Sequence, residues 1–137
     1  MLLGAMLLAS CYSSNYRREM VASISLVSQL SDKLADYCRA DFIVDKHPLS
    51  SEEMGEFYYG LQKARAFERM TAKRHAADAS GRAFSKLVDA YEKFVREADQ
   101  YRLNQSHTHE QLDQLLQDHD LVKQRAGEAN RALNQES

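Results

Sequence analysis

Apolar residues recur at steps of three and four through most of this chain, and the phase of that recurrence marks out its helices. Met20, Ile24, Val27, Leu30, Leu34 and Cys38 fall on one helical face, with Ser13, Ser14 and Asn15 ahead of it as N-cap candidates. The face fades near Asp41. The apolar triplet Phe42-Ile43-Val44 follows, read as tucking under the end of the packed helices, and then Asp45-Lys46-His47-Pro48, read as a loop because it holds the chain's one proline. A second helix is expected to start at Ser51. Ser50 and Glu53 have the spacing of a capping box, and Leu49 and Met54 stand where a hydrophobic staple would place them. Its apolar face reads Met54, Phe57, Tyr58, Leu61, Ala64, Phe67 and Met70.

The stretch from Ala76 to Arg82 carries Gly81, and glycine costs about 1 kcal/mol in a helix relative to alanine. Even so, Met70, Ala77, Phe84, Tyr91 and Ala98 keep a spacing of seven across it, and Leu87, Phe94 and Tyr101 extend the seam. That phase predicts one continuous helix from about Ser51 to Leu103, near ~80 Å long. The alternative is a tight turn at Ser80-Gly81. Asn104 to His109 ends the element, and Thr108 with Gln111 offers a second capping box. The last block carries Leu112, Leu115, Leu116, His119, Val122, Ala126, Ala129 and Leu133, with close packing expected near Leu116 and fraying after Ala129. The fold class is therefore all-α: an antiparallel helical bundle of three long helices with a central helix at about 51–103, or of four if the chain breaks near Gly81.

Composition agrees with few, long helices. The 137 residues include one proline and five glycines, too few turn formers for a sheet protein of this length, and 44% hydrophobic residues suffice for a core. One domain, 12–137, is expected after a leader at 1–11. Net charge is −2, so no global basic field points to nucleic acid.

The leader is a distinct signal. Met1 to Tyr12 is almost wholly apolar and ends in Leu8-Ala9-Ser10-Cys11. The run is too short for a bilayer-spanning helix, which needs about 20 apolar residues, and suits the apolar core of a secretory signal. A Cys directly after Leu-Ala-Ser resembles the lipobox of bacterial lipoproteins. The resemblance covers four residues. It implies cleavage before Cys11, acyl chains on Cys11, and a place in the cell envelope, membrane-anchored and facing the periplasm or exterior. The first basic side chains, Arg17 and Arg18, follow the apolar run rather than precede it. Two other readings stay open: a true start upstream of Met1, or an apolar helix that docks on something. A bridge between Cys11 and Cys38 is excluded if one helix separates them, because a rise of ~1.5 Å per residue holds them far beyond disulfide reach.

Candidate chemistry is sparse. His107, His109 and Glu110 lie close in sequence, as do Asp118, His119 and Asp120, but neither His-Glu-x-x-His nor Cys-x-x-Cys occurs, and no metal or cofactor is called for. Arg65, Arg69 and Lys73 share a helical face, flanked by Lys63 and Arg74. This stripe suits an anionic surface or partner, or pairing with the last block, where residues 104–137 hold six acids against three bases. Tyr59 off the apolar seam and Tyr16 near the anchor are candidate partner contacts. No Gly-rich phosphate loop or Gly-x-Ser-x-Gly is present, and the expectation is a non-enzyme. The favoured function is a membrane-anchored helical interaction protein, an adaptor or assembly factor that binds an envelope protein, with self-association possible. The alternative is a four-helix module that binds a small molecule.

Overall fold

The computed structural model describes residues 2–44, 49–75, 77–104 and 106–136, the side chains of 2–14 and 41–44 excepted. The described residues form four α-helices and no strand: α1 (Leu2–Val44), α2 (Ser51–His75), α3 (Ala79–Leu103) and α4 (His109–Gln135). They make an antiparallel bundle. Long-range hydrogen bonds give the register: Lys33 to Glu56 joins α1 to α2, Tyr58 to Asp99 joins α2 to α3, and Lys123 to Asp32 joins α4 back to α1. α1 and α3 also touch across the middle, while α2 and α4 do not meet among the described residues. One end of the bundle therefore holds Tyr16, the α2–α3 turn and the end of α4. The other holds the starts of α2 and α4.

The core is apolar and aromatic. Tyr91, Phe57, Phe84, Phe94, Met20, Ile24, Leu34 and Leu87 are fully buried. Tyr91 reconciles its polar tip with that burial by donating to the Phe57 carbonyl at 2.9 Å, a bond between α3 and α2. Gly60 lies at the same level, where a Cβ would strike the Leu30 side chain; its hydrogen lets α1 and α2 close together there. Cys38 is fully buried in this core.

Both capping boxes form. Ser50 Oγ accepts from the Glu53 amide at 3.0 Å while Glu53 accepts from the Ser50 amide at 3.2 Å. Thr108 and Gln111 repeat the exchange at 3.1 Å in each direction. Leu49 and Met54, the staple pair, are both buried.

The central helix from 51 to 103 does not form. The chain breaks after His75, in a turn closed by the Asp78 amide on the His75 carbonyl at 3.1 Å, and Asp78 is the extended N-cap residue of α3. The break also lies ahead of Ser80-Gly81, which sit inside the first turn of α3. The seven-residue phase misleads because only its α3 half is core. Met70 is 61% exposed and Ala77 is exposed. The buried face of α2 ends at Thr71 and that of α3 begins at Ser80, nine residues on, which is out of heptad step. Gly81 is needed for space: a Cβ there would overlap the backbone carbonyl oxygen of His75.

The last helix differs from its expected face in two places. Leu116 is only half-buried, and Asp118 occupies the buried stripe with 4% exposure. Nor does the helix end early. It runs to Gln135, Leu133 is 3% exposed, and both Leu133 and Glu136 are held from other helices. The expected loop at Asp45 to Pro48 lies outside the described residues, as do the side chains of Phe42, Ile43 and Val44.

Candidate functional site

A dense polar constellation lies where Tyr16, the α2–α3 turn and the end of α4 converge. Glu136, just past α4, accepts from the Ser80 amide at 2.8 Å and from Ser80 Oγ at 2.6 Å. Its carboxylate thus caps α3 in trans, where both the free amides and the helix dipole favour negative charge. Asp78, the N-cap residue itself, makes no side-chain cap bond, because its carboxylate lies 2.7 Å from His75 Nδ1. Tyr16 Oη sits 2.8 Å from Ser80 Oγ, and the Tyr16 ring stacks on His75 with centroids 3.8 Å apart. Burial raises the Tyr16 phenol, and the carboxylates of Glu136 and Asp78 push it the same way. Arg17 completes the arrangement from the other side. It donates to the Leu133 carbonyl at 3.1 Å and to Asn134 Oδ1 at 3.0 Å, so a guanidinium neutralises the carbonyl end of α4.

Ser, His and Asp here do not form a nucleophile relay. Ser80 is fully buried and its hydroxyl is committed to Glu136 and Tyr16 rather than to His75. His75 Nε2 is buried and has no hydrogen-bond partner among the described residues. With Asp78 accepting from Nδ1, the neutral ring would present Nε2 as an acceptor. Beside it opens a cavity of ≈ 240 Å³ lined by Asn15, Tyr16, Glu19, Met70, Thr71 and His75. The chemistry available is binding: a stacked aromatic wall, the exposed Met70 thioether at the rim, and one buried acceptor.

The basic stripe divides. Arg65 is spent inside the bundle, donating to Glu68 at 3.0 Å and to Asp89 at 2.8 Å, with Glu92 at 3.7 Å. Its partners lie on α2 and α3, not on the last block, which α2 does not reach. Arg69 and Lys73 are exposed and make no hydrogen bond or ion pair among the described residues. Tyr59 is 60% exposed, with Lys63 Nζ 5.1 Å above its ring. Tyr16 is part of the bundle-end network. Cys11 falls on the backbone of α1; its side chain is outside the described residues.

The histidine groups are not brought together, and no set of three or more metal-binding side chains converges among the described residues. His107 stacks on Tyr101 at 4.0 Å and bonds its carbonyl at 2.8 Å, while His119 Nε2 lies 2.8 Å from Asp32. Burial works against ionisation of Asp32, but His119 and Lys123 outweigh it and hold its carboxyl below the usual range.

One feature on α3 and α4 has no counterpart in the sequence patterns. Glu97 faces the buried Asp118, with Lys93 3.7 Å away and Gln114 at 3.4 Å. A hydrogen bond to Asp118, then burial and the repulsion of that carboxylate, raise the Glu97 carboxyl to about 7. A proton kept on Glu97 supplies the donor that Asp118 Oδ2 otherwise lacks.

No family model, curated protein or solved structure matches this chain.

Proposed function

We propose that the chain is a lipoprotein-like helical interaction protein of the bacterial cell envelope, an adaptor or assembly factor tethered by acyl chains on Cys11. The observation that supports this reading is the continuity of α1. The helix runs unbroken from Leu2 to Val44, 43 residues against 25, 25 and 27 for the others, and its first described bundle contacts come at Tyr16 and Arg17. The lipobox-like cysteine thus lies five residues before Tyr16 on the same helix. An anchor there would hold the bundle directly at a membrane and fix which end faces it. Two or more acyl chains would make the attachment stable, where one alone gives only marginal binding. No helix among the described residues is long and apolar enough to cross a membrane. The outward surfaces on offer to a protein partner are the Tyr59–Lys63 patch and a groove of ≈ 370 Å³ between α1 and α4, rimmed by the exposed Val21.

Metabolic labelling with a fatty-acid probe tests this directly. Incorporation in the wild type that is lost in Cys11→Ser, with release of the variant from membranes, is the expected result. Absence of label from the wild type overturns it.

A second reading rests on the Tyr16–His75 cavity. A compact molecule with an apolar body and a hydrogen-bond donor for His75 Nε2 would fit it, which makes the bundle a small-molecule-binding module. Such a ligand raises Tm by mass action. Met70→Trp, which narrows the rim, should abolish that rise while leaving the unliganded Tm nearly unchanged.

A further inference from the structure

The bundle is electrically polarised along its length. Its near half comprises residues 15–27, 64–75, 77–90 and 122–136, which surround the start of the bundle part of α1. Among these described residues stand eleven Lys and Arg against six Asp and Glu. The far half, residues 28–40, 49–63, 91–104 and 106–121, holds six against twelve. A chain of net charge −2 thus carries a surplus of about five positive charges at one end and six negative at the other. Part of this complements helix dipoles, since α2 has Glu52 and Glu53 in its first turn and Lys73, Arg74 and His75 in its last. Dipoles act only over a terminal turn, however. Arg18 and Arg69 are beyond that account, and with Lys73 they are exposed and have no hydrogen bond or ion pair among the described residues.

We infer that the near end is a docking surface for an anionic phospholipid bilayer. Three observations converge on that occupant. The uncommitted cations lie on the solvent faces of α1 and α2, the two helices that line the cavity whose rim carries Met70. Met70 is a large apolar side chain, 61% exposed, set next to Arg69 and near Lys73, the pairing of thioether and cation that suits an interfacial position. Cys11, which carries the acyl chains in the anchored reading, lies on α1 five residues before Tyr16 at this same end, so hydrophobic attachment and positive charge are presented together. Glu19 is the one carboxylate among the residues that line this cavity. The acidic far end is then repelled by the same surface, so the field orients the bundle end-on with α2 and α4 starting away from the lipid.

The inference rests on the anchored reading for its orientation, but its test is separate. The full chain carrying Cys11→Ser, and so no acyl group, is partitioned onto vesicles of phosphatidylcholine and onto an equimolar mixture of phosphatidylglycerol and phosphatidylcholine. The leader contributes equally to both, so the ratio isolates the electrostatic part. Each basic side chain near an anionic surface is worth about fivefold in binding, so Arg18→Gln, Arg69→Gln and Lys73→Gln together should lower the ratio on the order of a hundredfold. Raising salt should erase it. Arg65→Gln, whose charge is already matched by Asp89 and Glu92, should change the ratio less than about twofold. Equal partition of the parent onto both vesicle types overturns the inference, as does a triple variant that keeps the preference. Failure of acyl labelling with a preserved vesicle ratio would instead remove the anchor and leave the surface.

Discussion

The two ends of this bundle are built by different means. At the far end the caps among the described residues are local: Ser50 with Glu53, Thr108 with Gln111, and His107 on the carbonyl of Tyr101 six residues back. At the near end the turn after His75 is also closed locally, but the bonds that cap α3 and close α4 come from other helices. Glu136 caps α3 across 56 residues, Arg17 closes α4 across 116, and Tyr16 reaches Ser80 across 64. A local cap forms with its own helix and loses little chain entropy. A cap in trans exists only once the bundle has closed, so it reports on tertiary structure and couples the elements that share it. The end that faces the proposed membrane is therefore the end whose geometry depends on the whole fold.

The sharpest break in the comparison is between two positions seven-fold related in sequence. Phe84→Asp buries an unpaired charge at a fully buried site and should cost more than about 4 kcal/mol, which unfolds most domains of this size. Met70→Asp, in phase with Phe84 by sevens but 61% exposed, should cost no more than about 0.5 kcal/mol. Thermal melts that show both equally severe would restore the continuous central helix.

Glycine substitutions separate the ends next. Gly81→Ala drives a methyl into the His75 backbone carbonyl and should lose about 2–3 kcal/mol. Gly55→Ala, toward the far end with nothing within 4 Å of the new Cβ, should gain about 0.5–1 kcal/mol. Denaturant midpoints for the two variants should move in opposite directions. A gain for Gly81→Ala would mean that the turn after His75 is absent.

Removing caps is a finer test. Ser50→Ala should cost about 1 kcal/mol and loosen only the first turn of α2. Glu136→Ala removes the acceptor of both the Ser80 amide and the buried Ser80 hydroxyl, which keeps only Tyr16, and should cost about 2 kcal/mol. Amide exchange should then rise at the start of α3 and the end of α4 together. Protection lost at one of them alone would show that the trans cap does not couple the two.

The smallest expected effect is a pH dependence at Glu97. Its folded carboxyl is raised to about 7 from 4.5, so between those values the folded chain holds a proton that the unfolded chain has released. That contribution is complete at the acidic side of the window and disappears as pH rises through about 7. Glu97→Gln, which mimics the protonated group, should flatten this part of the profile, and its Tm relative to wild type should improve steadily from pH 5 to pH 8. A constant difference across that range would remove Glu97 from the pair.

Much of the fold was legible from residue order alone because it depends on short separations. The apolar stripes of α1 and α3, the starts of α2 and α4, and the helical class all follow from neighbours three or four residues apart, where helix geometry itself brings side chains together. The break was legible only as an alternative near Gly81, and its place after His75 was not, since the phase from Met70 through Ala98 is preserved by accident and only burial distinguishes a seam residue from an exposed one. The candidate site shows the same division. Arg69 and Lys73 could be picked out by their spacing, and Tyr16 by its place near the leader. Arg65 looked the same in sequence but is consumed by Asp89 and Glu92, and the placing of His75, Asp78, Ser80 and Glu136 in one cluster had no sequence signal at all. Nor did the longitudinal separation of charge, which appears only when antiparallel packing brings the C-terminal halves of α2 and α4 to the same end of the bundle. Periodicity and capping are properties of one helix and can be read from it. Which faces are covered, which charges are neutralised and which ends lie together are properties of the packing between helices, and only the tertiary structure decides them.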